Sequence, residues 1–141
     1  ANDQRSESER PNARTPERLN AIAITVADLD NDGRFDVVLL GIGPDGHTAS
    51  LFPGDAALQE TDRWVIGVAN AHVPPFVPRV TLTLPVLASC REMLFLVAGA
   101  DKRAILTRVL DGENLPANRA RSIGETVWLI DTAALPENFR G

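Results

Sequence analysis

One cysteine, one lysine and two histidines in 141 residues leave little material for several kinds of site. A single Cys90 excludes an intrachain disulfide and any multi-thiolate metal centre, and its setting, "LPVLASCRE", suits a small buried apolar side chain. His47 and His72 lie far apart in sequence and supply no ligand cluster, so neither a metal nor a cofactor is expected. Basic charge is also scarce. With a formal net charge of -5 and no clustered basic face, the chain has no general attraction to nucleic acid or to an anionic membrane. No apolar run approaches the roughly 20 residues that span a bilayer. The opening "ANDQRSESERPNARTPERLN" lacks the apolar core of a secretory signal, which makes a cytoplasmic location the default. Internal repeats and low-complexity tracts are absent, excluding a solenoid.

What is present is ordinary for one globular domain: 44% hydrophobic and 23% charged residues. Of the 14 basic residues, all but Lys102 are Arg, so a lone ammonium stands out as a place where a compact, rotatable charge is wanted. Residues 1–20 are polar and without an apolar period, and read as a tail or remnant; residues 21–141 read as one α/β domain.

"RFDVVLLGIG" is a continuous apolar run bounded by turn residues, the pattern of a strand buried on both faces of a parallel sheet. "HTASLF" then suits the start of a short helix capped by Thr48 or Ser50. "RWVIGVANA" and "RVTLTL" read as further strands, with the proline-rich "AHVPPFVPR" as a stiff connector between them. Pro85 is placed to open a helix over "PVLASCRE". "MLFLVAG", a turn at 99–101, and "DKRAILTRVLDG" closed by Gly112 repeat the strand–turn–helix plan, and "TVWLID" is a last strand. Alternating strands and helices predict a three-layer α/β/α arrangement with a mainly parallel sheet, Rossmann-like in class. Ligands of such sheets collect at the carboxyl ends of the strands.

One such end is "LLGIGPDGHTASLFPG", residues 39–54, which carries four glycines, two prolines, Asp45 and His47. Gly41, Gly43 and Gly46 let the backbone approach a ligand, and N–H groups of such a turn suit an anion or oxyanion. His47 is suited to take a proton from water, and Asp45 to orient it or to form an Asx turn. On spacing alone, a plain strand-to-helix turn with a surface histidine reads better. Trp64 and Trp128 sit in strand-like runs and are expected in the core, and His72 in the connector is expected as a loop residue.

Taken together, "FDVVLLGIGPDGHTASLFPG", "PRVTLTLPVL", "LFLVAGADKRAIL" and "LPANRARSIGETVWLID" resemble, in order and spacing, segments of the 6-phosphogluconolactonase family. That family belongs with the glucosamine-6-phosphate deaminases to the NagB-type group. The resemblance implies an enzyme that hydrolyses 6-phospho-D-glucono-1,5-lactone to 6-phosphogluconate in the pentose phosphate pathway. His47 would be the general base and Asp45 its acidic companion. The turn glycines would contact the substrate, and Arg79 and Lys102 would hold its phosphate, with no metal or cofactor. In the deaminase branch a catalytic Glu follows the His by five positions; Phe52 stands here, which favours ester hydrolysis over deamination.

Members of the family are roughly twice this length, so the chain reads as a carboxyl-terminal portion whose sheet is incomplete on the N-terminal side. Such a half-sheet is expected to associate with the missing half or with another copy. A different class of reading comes from "DLDNDGRFD", residues 28–36, where Asp28, Asp30 and Asp32 alternate ahead of Gly33 as in a calcium loop. Leu39 occupies the position of the closing bidentate carboxylate, and the motif occurs once. A polar turn of Asp side chains is the preferred reading, with a calcium-binding module as the alternative.

Overall fold

The computed structural model describes residues 25–137 and 139; the polar segment 1–20 and the first residues of the expected domain, 21–24, lie outside them. Among the described residues the elements run β1 (Thr25–Ala27), β2 (Val37–Leu40), β3 (Val65–Val68), β4 (Arg79–Leu82), α1 (Leu84–Ala88), β5 (Glu92–Val97), α2 (Arg103–Leu110), α3 (Pro116–Arg119) and β6 (Thr126–Ile130). Four strands make one sheet in the order β1-β2-β5-β6. β2, β5 and β6 are parallel, with Val37 opposite Glu92 and Met93 opposite Thr126, and β1 is an antiparallel edge. The mainly parallel α/β sheet expected from the alternating pattern is therefore present.

Side-chain alternation sorts the sheet into two unequal faces. Val38 and Leu40 of β2 and Met93, Phe95 and Val97 of β5 point to one face and are buried. There they meet Leu87 and Cys90 from and just after α1, and Ile105, Leu106 and Val109, which line one side of α2. Complete burial of a side chain such as Phe95 or Leu106 stabilises the fold by about 1.5–3 kcal/mol relative to exposure. Cys90 is fully buried as expected, and burial pushes its thiol pKa up. The opposite face differs from the expectation of strands covered on both sides. Leu96, Val127 and Leu129 are 51%, 38% and 49% exposed, because no element among the described residues packs on them.

Three local expectations are corrected. "HTASLF" is not helical: the Thr48 hydroxyl donates to Gly41 O at 2.9 Å, Ser50 N donates to Thr81 Oγ1, and Ala49 sits at φ 53°, outside the right-handed helical region. The helical turn comes later, as a 3₁₀ segment Ala56–Gln59 whose N-cap Asp55 accepts from Ala57 N at 2.7 Å. β3 and β4 form as strands but pair only with each other, as an antiparallel ribbon apart from the main sheet. Trp64 is 60% exposed on that ribbon rather than in the core, whereas Trp128 stacks on Phe95 with centroids 4.0 Å apart.

Candidate functional site

Because β2 and β5 are parallel neighbours, the turns that follow them open at the same edge of the sheet. The glycine-rich turn leaves β2 after Leu40, and the segment 98–102 leaves β5 after Val97. Between them lies a cleft of about 660 Å³, lined by Gly41, Gly43, His47, Arg79, Asp101 and Lys102 together with apolar residues. Five of the seven residues singled out from sequence thus face one space. Asp45 stands behind His47, and Gly46 faces away from the cleft, packing against Leu115.

His47 is not the surface histidine that its turn-like surroundings suggest. It is 1% exposed, and its Nδ1 lies 2.5 Å from Asp45 Oδ1. A carboxylate only accepts, so Nδ1 carries the proton and Nε2 the lone pair. Nε2 is buried and has no hydrogen-bond partner among the described residues. Burial pushes the His47 pKa below its ordinary 6.5; the Asp45 carboxylate works against this, and the Arg79 and Lys102 charges reinforce it. The imidazole is accordingly neutral at physiological pH, with its basic nitrogen free.

Backbone geometry holds that ring in place. Asp45 Oδ1 also accepts His47 N at 3.1 Å, and Gly43 N donates to His47 O at 2.8 Å. At Gly43 a Cβ would stand 2.0 Å from His47 Cε1, so only glycine admits the imidazole here. The N–H groups of Gly43 and Gly46 are both engaged within the turn, with His47 O and Gly43 O, and are not free to meet an oxyanion. The turn is braced from outside by α3, where Ala117 N donates to Gly46 O at 3.1 Å. Sequence reasoning missed α3; its signal was Pro116 at a first helical position, a short element easily read as loop.

Arg79 at the start of β4 reaches the cleft from the separate ribbon. Its guanidinium donates to Pro75 O at 3.2 Å and to Val73 O at 3.4 Å, and lies 5.6 Å above the Phe52 ring. Phe52 is fully buried between two imidazoles, with centroids 4.6 Å from His47 and 5.0 Å from His72. His72, expected as a loop residue, lies in the connector with Nε2 3.4 Å from Asp55 Oδ2.

The Asp-rich loop behaves as a polar turn. Asp28, Asp30 and Asp36 present oxygens within 4.8 Å of one another, yet each has partners in the chain. Asp28 accepts Gly33 N, Asp30 accepts Asp32 N, and Asp36 accepts Leu29 N. Arg91 adds ion pairs to Asp30, Asp32 and Asp36 at 3.1, 2.5 and 3.2 Å.

Fold and cleft define the class as a mainly parallel α/β domain with its cleft at the carboxyl ends of the central strands. The chain belongs to the family described as "Glucosamine-6-phosphate isomerases/6-phosphogluconolactonase", whose pattern matches residues 2–128. It is similar to the 6-phosphogluconolactonase of Streptomyces coelicolor, with 47% identity over 103 residues covering 71% of this chain and 39% of that protein. Its similarity to the 6-phosphogluconolactonase of Rattus norvegicus is 44% identity over 103 residues, 71% of this chain and 40% of that one. In structure it is similar to the 6-phosphogluconolactonase of Thermotoga maritima, with a TM-score of 0.62, 40% identity, and coverage of 70% and 44% of the two chains. The chain spans about two fifths of the length of the curated relatives it matches.

Proposed function

We propose that the protein hydrolyses 6-phospho-D-glucono-1,5-lactone to 6-phosphogluconate, the lactone-opening step of the pentose phosphate pathway. The observation that carries this reading is the buried, neutral His47, whose Nδ1 is bound to Asp45 and whose Nε2 is unpartnered, lining the same cleft as Arg79 and Lys102. Family membership and the lactonase relatives support it.

The residues suggest a simple division of work. His47 Nε2 takes a proton from a water molecule as its oxygen bonds to the lactone carbonyl carbon. Asp45 keeps Nδ1 protonated and stabilises the imidazolium that forms. The tetrahedral oxyanion collapses with cleavage of the ring C–O bond, and His47 returns its proton to the departing ring oxygen, leaving an acid and a free hydroxyl. Arg79 offers a planar fork and Lys102 a mobile point charge to the phosphate. Phe52 brings no acid to the site, which fits ester hydrolysis.

The test is the initial rate of 6-phosphogluconolactone hydrolysis above its spontaneous background, for the wild type and His47→Asn. Both are measured as this chain alone and joined to the amino-terminal part of the Streptomyces coelicolor relative that it leaves unmatched. Wild-type turnover that falls by about 10²-fold or more in the variant is expected from loss of a positioned general base. Inactivity of the wild type in both forms would reject the lactonase reading.

A further inference from the structure

Lys102 is the lone lysine of the chain and lines the cleft, yet among the described residues its one ion pair is a distant carboxylate, Asp101 Oδ2 at 3.8 Å. Its position is set by the backbone around it. Gly99 takes φ 100° and ψ 145°, and a Cβ there would lie 2.6 Å from Asp101 Oδ1. Both polar groups of Gly99 are tied: its C=O accepts Lys102 N at 3.0 Å, and its N–H donates to Asp131 Oδ2 at 3.0 Å.

Asp131 is itself fixed. It lies just past the end of β6, its N–H donates to Val97 O at 3.0 Å, and its other carboxylate oxygen accepts Ala134 N at 2.8 Å. A second tie runs beside the first, from Arg103 Nη2 to Ala133 O at 3.1 Å. Gly99 and Arg103, which bracket the turn 100–102, are therefore both fastened to the segment 131–134, and Asp131 holds the one with positive φ.

We infer that Asp131 is a positioning residue for phosphate recognition: by holding Gly99 N–H it fixes the turn that carries Lys102 into the cleft. The inference rests on the lactonase reading and adds to it a residue that does not line the cleft. An acidic side chain serving the recognition of an anionic group is chemically consistent, because its two oxygens are taken up by backbone N–H groups.

The experiment compares kcat/KM for 6-phosphogluconolactone and for unphosphorylated gluconolactone in wild type, Asp131→Asn, Lys102→Ala and the double variant. Asp131→Asn is expected to lower the value for the phosphorylated lactone about tenfold, the size of one charge-assisted hydrogen bond, while the unphosphorylated lactone changes less than about twofold. In the Lys102→Ala background the same change should move the ratio no further. Arg103→Gln, which cuts the second tie, should shift the ratio the same way, and thermal midpoints establish that each variant is folded. Equal losses for both lactones, or a full additional loss on top of Lys102→Ala, would overturn the assignment. Calorimetric binding of 6-phosphogluconate against gluconate gives the same comparison without turnover, so failure of the lactonase reading and failure of the Asp131 inference are read separately.

Discussion

At the scale of single residues the proposed hydrolysis turns on which nitrogen of His47 is free and when. Only the neutral ring accepts a proton, and burial holds its pKa below 6.5. The acid-side inflection of kcat/KM should therefore fall below pH 6.5; an inflection at or above that value would contradict the burial argument. Stability follows the same sign. Below about pH 6.5 an unfolded His47 takes up a proton that the folded one still refuses, so its contribution is present above pH 6.5 and is lost as pH falls toward the folded pKa. Denaturant midpoints between pH 7.5 and 5 should show this slope in the wild type and less of it in His47→Gln. The candidate site residues were legible in sequence through the family resemblance, because spacing alone reads the turn at Asp45 and His47 as a plain strand-to-helix turn with a surface histidine. The burial of His47 was not, since it depends on Phe52 and on the absence of a Cβ at Gly43. Nor was Asp131, whose partner turn is brought to it only by the pairing of β5 with β6.

At the scale of elements, apolar runs announced β2, β5, β6 and α2, and a proline announced the start of α1. They did not announce partners. "RWVIGVANA" and "RVTLTL" carry strand character, but strand character alone does not say that β3 and β4 leave the main sheet for a ribbon of their own. "HTASLF" failed as a helix because the Thr48 hydroxyl bonds to a backbone carbonyl instead of capping. The Asp-rich loop was legible as a turn, while its ion pairs with Arg91, fifty-five residues beyond Asp36, were not. With those carboxylates engaged, millimolar calcium should leave the thermal midpoint unchanged. A rise of several degrees would return the loop to the calcium class.

At the scale of the whole molecule, one sheet face is a core and the other, among the described residues, is bare. No helix among the described residues is long and apolar enough to cross a membrane. The bare face carries Leu96, Val127 and Leu129 as one apolar surface. The chain alone is expected to bind a hydrophobic dye, and Leu96→Glu with Leu129→Lys to lower that binding without lowering the thermal midpoint. Loss of the midpoint instead would mean that this face is packed. The register of β2 against β5 carries a further consequence, for the order of events during synthesis. Among the described residues, Val37–Leu40 follow their antiparallel partner β1 by about ten residues, and their parallel neighbour Glu92–Phe95 is made more than fifty residues later. Until then the His47 turn lacks the wall that the segment after β5 supplies, so a nascent chain holds His47 and Arg79 before this cleft forms, and of its charged lining the lone lysine arrives last.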